Sequence, residues 1–138
     1  MKRFLIAYLA SALFMLAADM VWLYLTVTPV YRHFVGDLLL EQAKPAPAIA
    51  FYLLYGVGVV VFGVLPGLQA GRWRTSAARG ALFGLLAYAT YDLSNLATLR
   101  GWSLPLSLID MAWGAALTAG AAVAGQLAVR RWAASSAP

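Results

Sequence analysis

Cysteine is absent from the chain and histidine occurs once, at His33. The first absence excludes disulfides, thiolate nucleophiles and cysteine-held metal. The second, with His33 placed in a loop, argues against intramembrane haem ligation and histidine-rich metal sites. No metal and no cofactor is expected. The spans described below contain no lysine, which argues against a Schiff-base retinal protein, and no phosphate loop or metalloprotease helix is present. Charge is scarce as well: 11% of the residues are charged, while 63% are hydrophobic and the mean hydropathy is +0.78. Soluble domains run to about 45–50% apolar and about 25% charged. A chain of 138 residues could not hide this much apolar surface in a soluble core, so the composition reads as an integral membrane protein. In a soluble protein a net charge of +5 would point to nucleic acid. Here the arginines sit at the ends of apolar runs, where they read as topology signals and lipid-headgroup contacts. Membrane lipids are the expected partners, and nucleic acid is not.

A membrane-crossing helix needs about 20 apolar residues at about 1.5 Å rise each. Four segments qualify: about 4–28, ending at Pro29; 48–68, opened by "KPAPA"; 80–99; and 104–129, with Pro105 in its first turn, where proline is tolerated. The first follows Lys2 and Arg3 but is too long for a signal-peptide core, and an aspartate interrupts it where a cleavage signal would form. The expected fold is all-α, an integral membrane four-helix bundle forming one domain over 1–132, with "AASSAP" (133–138) a disordered tail. In the 29–47 loop, "RHFVGDLLLEQ" reads as a short amphipathic helix on the outer surface. Lys2, Arg3, Arg72, Arg74, Arg79, Arg130 and Arg131 fall on one side; only Arg32, Lys44 and Arg100 fall on the other, where Asp37 and Glu41 share the long loop. The positive-inside rule therefore places both termini in the cytoplasm.

Three of the few acidic residues lie inside the spans: Asp19, Asp92 and Asp110. Asp19 lies nine residues, roughly 13 Å, before the outward end of the first span. Asp110 lies six residues, roughly 9 Å, inside the start of the fourth. Asp92 lies seven residues before Leu99. All three fall in the outer half, with Tyr88, Tyr91, Asn95 and Thr98 beside Asp92, and Tyr52 and Tyr55 entering from the second span. The inner half reads as almost featureless Ala, Val, Leu and Gly. Asp19 and Trp22 share a face at i, i+3, as do Asp110 and Trp113, and antiparallel helices bring both pairs to one depth. Tyr88, Asp92, Asn95 and Leu99 also share a face. The pattern implies a pocket open to the outside, floored by apolar residues, walled by Trp and Tyr, and holding three carboxyls with Arg100 the only nearby cation. Carboxyls in the membrane are the usual equipment of proton-coupled movement or acid catalysis. Tyr24, Tyr31 and Trp102 read instead as aromatic belt residues.

"DMVW" (19–22) and "DMAW" (110–113) do not mark a duplication, because a tandem two-helix repeat would relate the first helix to the third. Gly80 and Gly84 have GxxxG spacing, and "GAALTAGAAVAGQLA" makes the fourth helix small on most faces. Small residues let helices approach closely in lipid. Packing within the chain is one use of them, a homodimer seam on the fourth helix another.

The stretch "YDLSNLATLRGWSLPLSLIDMAWG" (91–114) resembles a bacterial domain-of-unknown-function family, family 2177, of small predicted four-helix membrane proteins. The matching residues are Asp19 and Trp22; Tyr91, Asp92, Asn95, Thr98, Arg100 and Trp102; and Asp110, Trp113 and Gly114. The resemblance covers essentially the whole chain. It implies a multi-pass protein of the bacterial inner membrane and the same set of polar residues, but no reaction. Residues and resemblance together point to binding or transport of a small amphipathic ligand from the outer side. Asp92 and Asn95 would anchor it, Asp19 or Asp110 would carry a proton, and Trp22, Trp113, Tyr52 and Tyr55 would form the walls. Two alternatives stay open: an isomerase or cyclase acting on a lipid or isoprenoid, and an assembly partner of another membrane protein.

Overall fold

The computed structural model describes residues 1–36, 40, 42 and 44–133, and among these there is no strand. Helix α1 (Lys2–Thr26) passes through a π-helical turn (Val27–Tyr31) into α2 (Arg32–Val35). Helix α3 (Pro45–Gly58) passes through a second π-helical turn (Val59–Val64) into α4 (Leu65–Ala70). Then come α5 (Trp73–Thr98) and α6 (Leu104–Ala128), the latter extended by a third π-helical turn (Val129–Ala133).

The helices differ from the sequence expectation at their ends, for physical reasons. The first helix does not stop at Pro29. Proline in a helix lacks an N–H and presses on the carbonyl four residues back. The wider i→i+5 turn around Pro29 accommodates it, and the turn Val59–Val64 does the same ahead of Pro66. The second long helix begins at Pro45 because Pro45 and Pro47 fit a first turn whose N–H groups have no intrahelical partner. The third begins at Trp73 rather than near residue 80. Gly71, at φ 67, caps α4 in the left-handed region that glycine adopts freely, and Arg72 is already extended. At the other end of α5, Gly101 takes φ 77, and Ser103 Oγ accepts from the Leu106 N–H at 3.3 Å to cap α6. Of the amphipathic helix expected at 32–42, only α2 is seen; Asp37 and Glu41 lie outside the described residues, as do positions 134–138.

Helix α6 packs on α1, on α5 and on the stretch from Val59, and its contact with α5 is the most extensive in the molecule. Ser11 Oγ donates to the Ala121 carbonyl at 2.9 Å while Trp113 Nε1 donates to Asp19, so α1 and α6 are antiparallel. Helices α5 and α6 are antiparallel too: a Cβ on Gly80 would stand 2.7 Å from the Thr118 carbonyl, and Gly84 lies against Gly114. Gly114, Ala121, Ala122 and Gly125 of α6 are buried within the chain. Arg130 donates to the Gly71 carbonyl, which fixes the α4–α5 turn at the near end of the molecule, the end where α1 begins and α6 closes.

Lys2–Thr26, Pro45–Ala70 and Leu104–Trp132 are long and apolar enough to cross a membrane, by length and composition. Helix α5 is of similar length, 26 residues, but is more polar. On α1 the buried Ala7, Ser11, Met15, Asp19 and Thr26 form one narrow stripe, and Leu5, Leu9, Leu13, Leu16 and Met20 are exposed. Soluble monomers rarely expose apolar patches beyond a few hundred Å²; a helix with this surface belongs against lipid.

The near half of the interior is not featureless, contrary to the sequence reading. Ser11, Ser76 and Gln126 are fully buried there. Ser76 donates to the Gly63 carbonyl at 3.1 Å, and Gln126 Nε2 donates to the Gly67 carbonyl at 2.8 Å. Between them and the carboxyls lie Val59, Val60, Leu117, Ala121 and Ala122, all buried.

Candidate functional site

The narrow stripe of α1 ends in Asp19 and Trp22, and their partners come from three other elements. Tyr52 of α3 donates to Asp19 Oδ2 at 2.7 Å, and Trp113 of α6 donates to Oδ1 at 2.9 Å. Trp113 also stacks on Trp22, with ring centroids 4.3 Å apart and planes 6° from parallel. Trp22 Nε1 donates to the Tyr31 hydroxyl at 3.3 Å, and that hydroxyl in turn donates to Asp110 Oδ1. Five residues expected at the site (Asp19, Trp22, Tyr52, Asp110 and Trp113) thus form one network. The walls are not spectators: the indoles and the phenol are themselves the donors that satisfy the carboxylates.

Tyr31 is the residue the sequence reading missed. It lies outside α1, beyond Pro29, and only the π-helical turn returns it to the bundle. Burial, followed by its hydrogen bond to Asp110, pushes its hydroxyl above the usual tyrosine range, and the bond from Trp22 opposes this. The phenol is therefore a fixed, neutral donor at neutral pH.

Asp92 of α5 differs from the other two. Its side chain is 0% exposed, and neither carboxyl oxygen has a hydrogen-bond partner among the described residues. Ser107 and Trp102 are the donors that bear on it, but their bond is to each other, Trp102 Nε1 donating to Ser107 Oγ at 3.0 Å. Asp110 is within electrostatic reach of both Asp92 and Asp19. Trp102, read from the sequence as a belt residue, is held edge-on against Tyr91 at 5.6 Å.

The remaining expected residues surround this group. Tyr55 shares a hydrogen bond of 2.8 Å with Thr118, and its ring stands 6.5 Å from that of Tyr88, which covers Gly114. Asn95 is half-buried and bears on Tyr91 rather than on Asp92. Arg100 is exposed and lines a cavity of about 290 Å³ with Arg32 and His33, away from the carboxyls. Ser107 was legible in principle, since it lies one turn before Asp110 on the same face. Among the described residues no group of three His, Cys, Asp or Glu side chains is placed to hold a metal ion.

The family model described as "Predicted membrane protein (DUF2177)" matches residues 4–127. No curated protein and no solved structure matches the chain.

Proposed function

The chain belongs to the DUF2177 family of predicted membrane proteins, and from that premise we propose that it crosses the bacterial inner membrane four times and binds a small, partly apolar ligand in its outer half. Three stretches are apolar enough to cross. If Pro45–Ala70 and Leu104–Trp132 both do, α5 must return between them, because only Gly71–Arg72 and residues 99–103 join it to its neighbours. Its polarity is concentrated at its two ends, Arg74 and Arg79 at one and Asp92 to Asn95 at the other, while "GALFGLLAYA" (80–89) fills the middle. The near end carries the larger share of basic residues, which favours a cytoplasmic side.

The observation that carries the ligand reading is Asp92. A fully buried carboxyl to which the neighbouring donors, Ser107 and Trp102, make no direct bond is costly in a low-dielectric interior. A ligand with an N–H or O–H group at its polar end would supply the missing donor, and its apolar part would lie among Tyr88, Tyr91 and Trp102. The pairing of Asp92 with Asp110 also suits a general acid and base acting on a lipid or isoprenoid, which keeps the enzyme reading as the second choice. An assembly role needs carboxyls on an outer face, and all three are buried.

The test is native mass spectrometry of the protein released gently from its own membrane. Wild type should carry a co-purifying small molecule that Asp92→Asn lacks, while both remain folded and elute alike in detergent. Identical bound species on both proteins would overturn the reading.

A further inference from the structure

The start of α5 has no role in the carboxyl site, yet it is unusual for a helix against lipid. Arg72, Arg74, Thr75, Ala78, Arg79 and Leu82 line a groove of about 480 Å³ at the near end. Trp73 is exposed there, with the Arg74 guanidinium 5.7 Å from its ring centroid, and Trp132 is exposed at the same end. Exposed tryptophans mark the membrane–water interface. Arg79 is also exposed, six residues further along the helix, roughly 9 Å deeper at helical rise. An outward-facing cation more than one turn below the aromatic level is costly unless it reaches back to the headgroups and meets a negative charge. Below it the same face of α5 is apolar: Thr75, Arg79, Leu82, Leu86 and Leu93 fall in one line at i, i+4, i+7, i+11 and i+18, and the three leucines are exposed. Cations above and leucines below reproduce the two halves of a lipid.

We infer that this groove is a binding site for an anionic glycerophospholipid, whose phosphate sits among Arg72, Arg74 and Arg79 and whose acyl chain follows Leu82 and Leu86. The inference rests on the reading that α5 crosses the membrane. The site lies at the opposite end of the bundle from the carboxyls and does not depend on their ligand.

Native mass spectrometry of the full chain in mild detergent, with dioleoylphosphatidylglycerol or dioleoylphosphatidylcholine added, tests it. Wild type should retain the anionic lipid preferentially. Arg79→Gln should weaken that retention about fivefold, the equivalent of roughly 1 kcal/mol for one arginine at the surface, and the Arg72, Arg74 and Arg79→Gln triple variant more than tenfold. A control triple variant, Lys2, Arg3 and Arg131→Gln, removes as many charges from the same end and should retain the lipid. Inorganic phosphate at equal concentration should not displace it. If the Arg72, Arg74 and Arg79 triple variant does not fold, Arg79→Gln alone decides. Equal retention of the two lipids, equal loss in the control, full displacement by phosphate, or wild-type retention by Arg79→Gln would each overturn the inference. The measurement is made in detergent, so it fails separately from any reporter test of the membrane course of α5.

Discussion

Tyr31 shows what one residue decides at the far end of the bundle. Among the described residues it is the only side chain that bonds both to a tryptophan of the stacked pair and to Asp110. Tyr31→Phe keeps the ring and removes both bonds, leaving a buried carboxylate oxygen without its donor. It should lower stability by about 1 kcal/mol, read as an earlier thermal unfolding in detergent, whereas Tyr24→Phe, at an exposed position, should change nothing. The pH window follows from the raised pKa. The contribution is fully present below the unfolded tyrosine value of about 10 and disappears only as pH rises through the higher folded value, so the two variants should converge in strong alkali. Asp92 allows a second test. If the three carboxyls titrate as a group, Asp92→Asn should move the titration midpoints of the other two in infrared difference spectra; unmoved midpoints would make them independent. At this scale helix periodicity was informative for the first and fourth spans but not for Asn95, which bears on Tyr91 instead of Asp92. Asp19, Trp22, Asp110 and Trp113 fall at one depth by counting alone. Tyr31 and Trp102 were out of reach because non-α backbone positions them. The near-half polar residues were legible but overlooked: Ser11 lies on the same i, i+4 stripe as Ala7, Met15 and Asp19.

At the scale of the elements, the glycines of α5 matter more than those on the open face of α6. The sequence suggests Gly120 as the position where bulk would block helix approach. A Cβ there would meet the tip of the Phe14 ring at 2.6 Å, and Phe14 is exposed and free to turn aside. At Gly84 an added Cβ runs into the Gly114 carbonyl and Thr118, and at Gly80 it stands 2.7 Å from the Thr118 carbonyl. Backbone cannot swing away. Gly84→Ala should therefore cost about 1–3 kcal/mol and exceed Gly120→Ala, with Leu127→Ala, at an exposed position, the mildest of the three. Thermal unfolding of the three variants in one detergent would rank them; a Gly120 variant worse than the Gly84 variant would contradict this packing. GxxxG spacing marked Gly80 and Gly84 as a face of close helix approach, and the structure supplies α6 as its partner. The element boundaries were less legible, because a proline in the sequence reads as a stop while a π-helical turn lets the helix continue through it.

For the whole molecule, the number of crossings and the sides of the termini are a single question. Lys2–Thr26, Pro45–Ala70 and Leu104–Trp132 are apolar enough to cross on composition alone. Three crossings would leave the termini on opposite sides, and four would leave them together. The parity therefore turns on α5, the least apolar of the long helices. Its length of 26 residues gives roughly 39 Å at helical rise, more than the roughly 30 Å of a hydrocarbon core. The polar groups that lower its hydropathy do not all meet lipid: Ser76 and Asp92 are fully buried against neighbouring helices. Glycines bring its backbone against α6 along the shared seam, so a displaced α5 would uncover the most extensive contact in the fold. Reporter fusions at Pro138, within the loop at Gly36, and at Met1 should find both termini in the cytoplasm and the loop outside. A C-terminus outside with the N-terminus inside would mean three crossings. It would remove α5 from the membrane and, with it, the placement of Asp92 in the outer half on which the ligand reading stands.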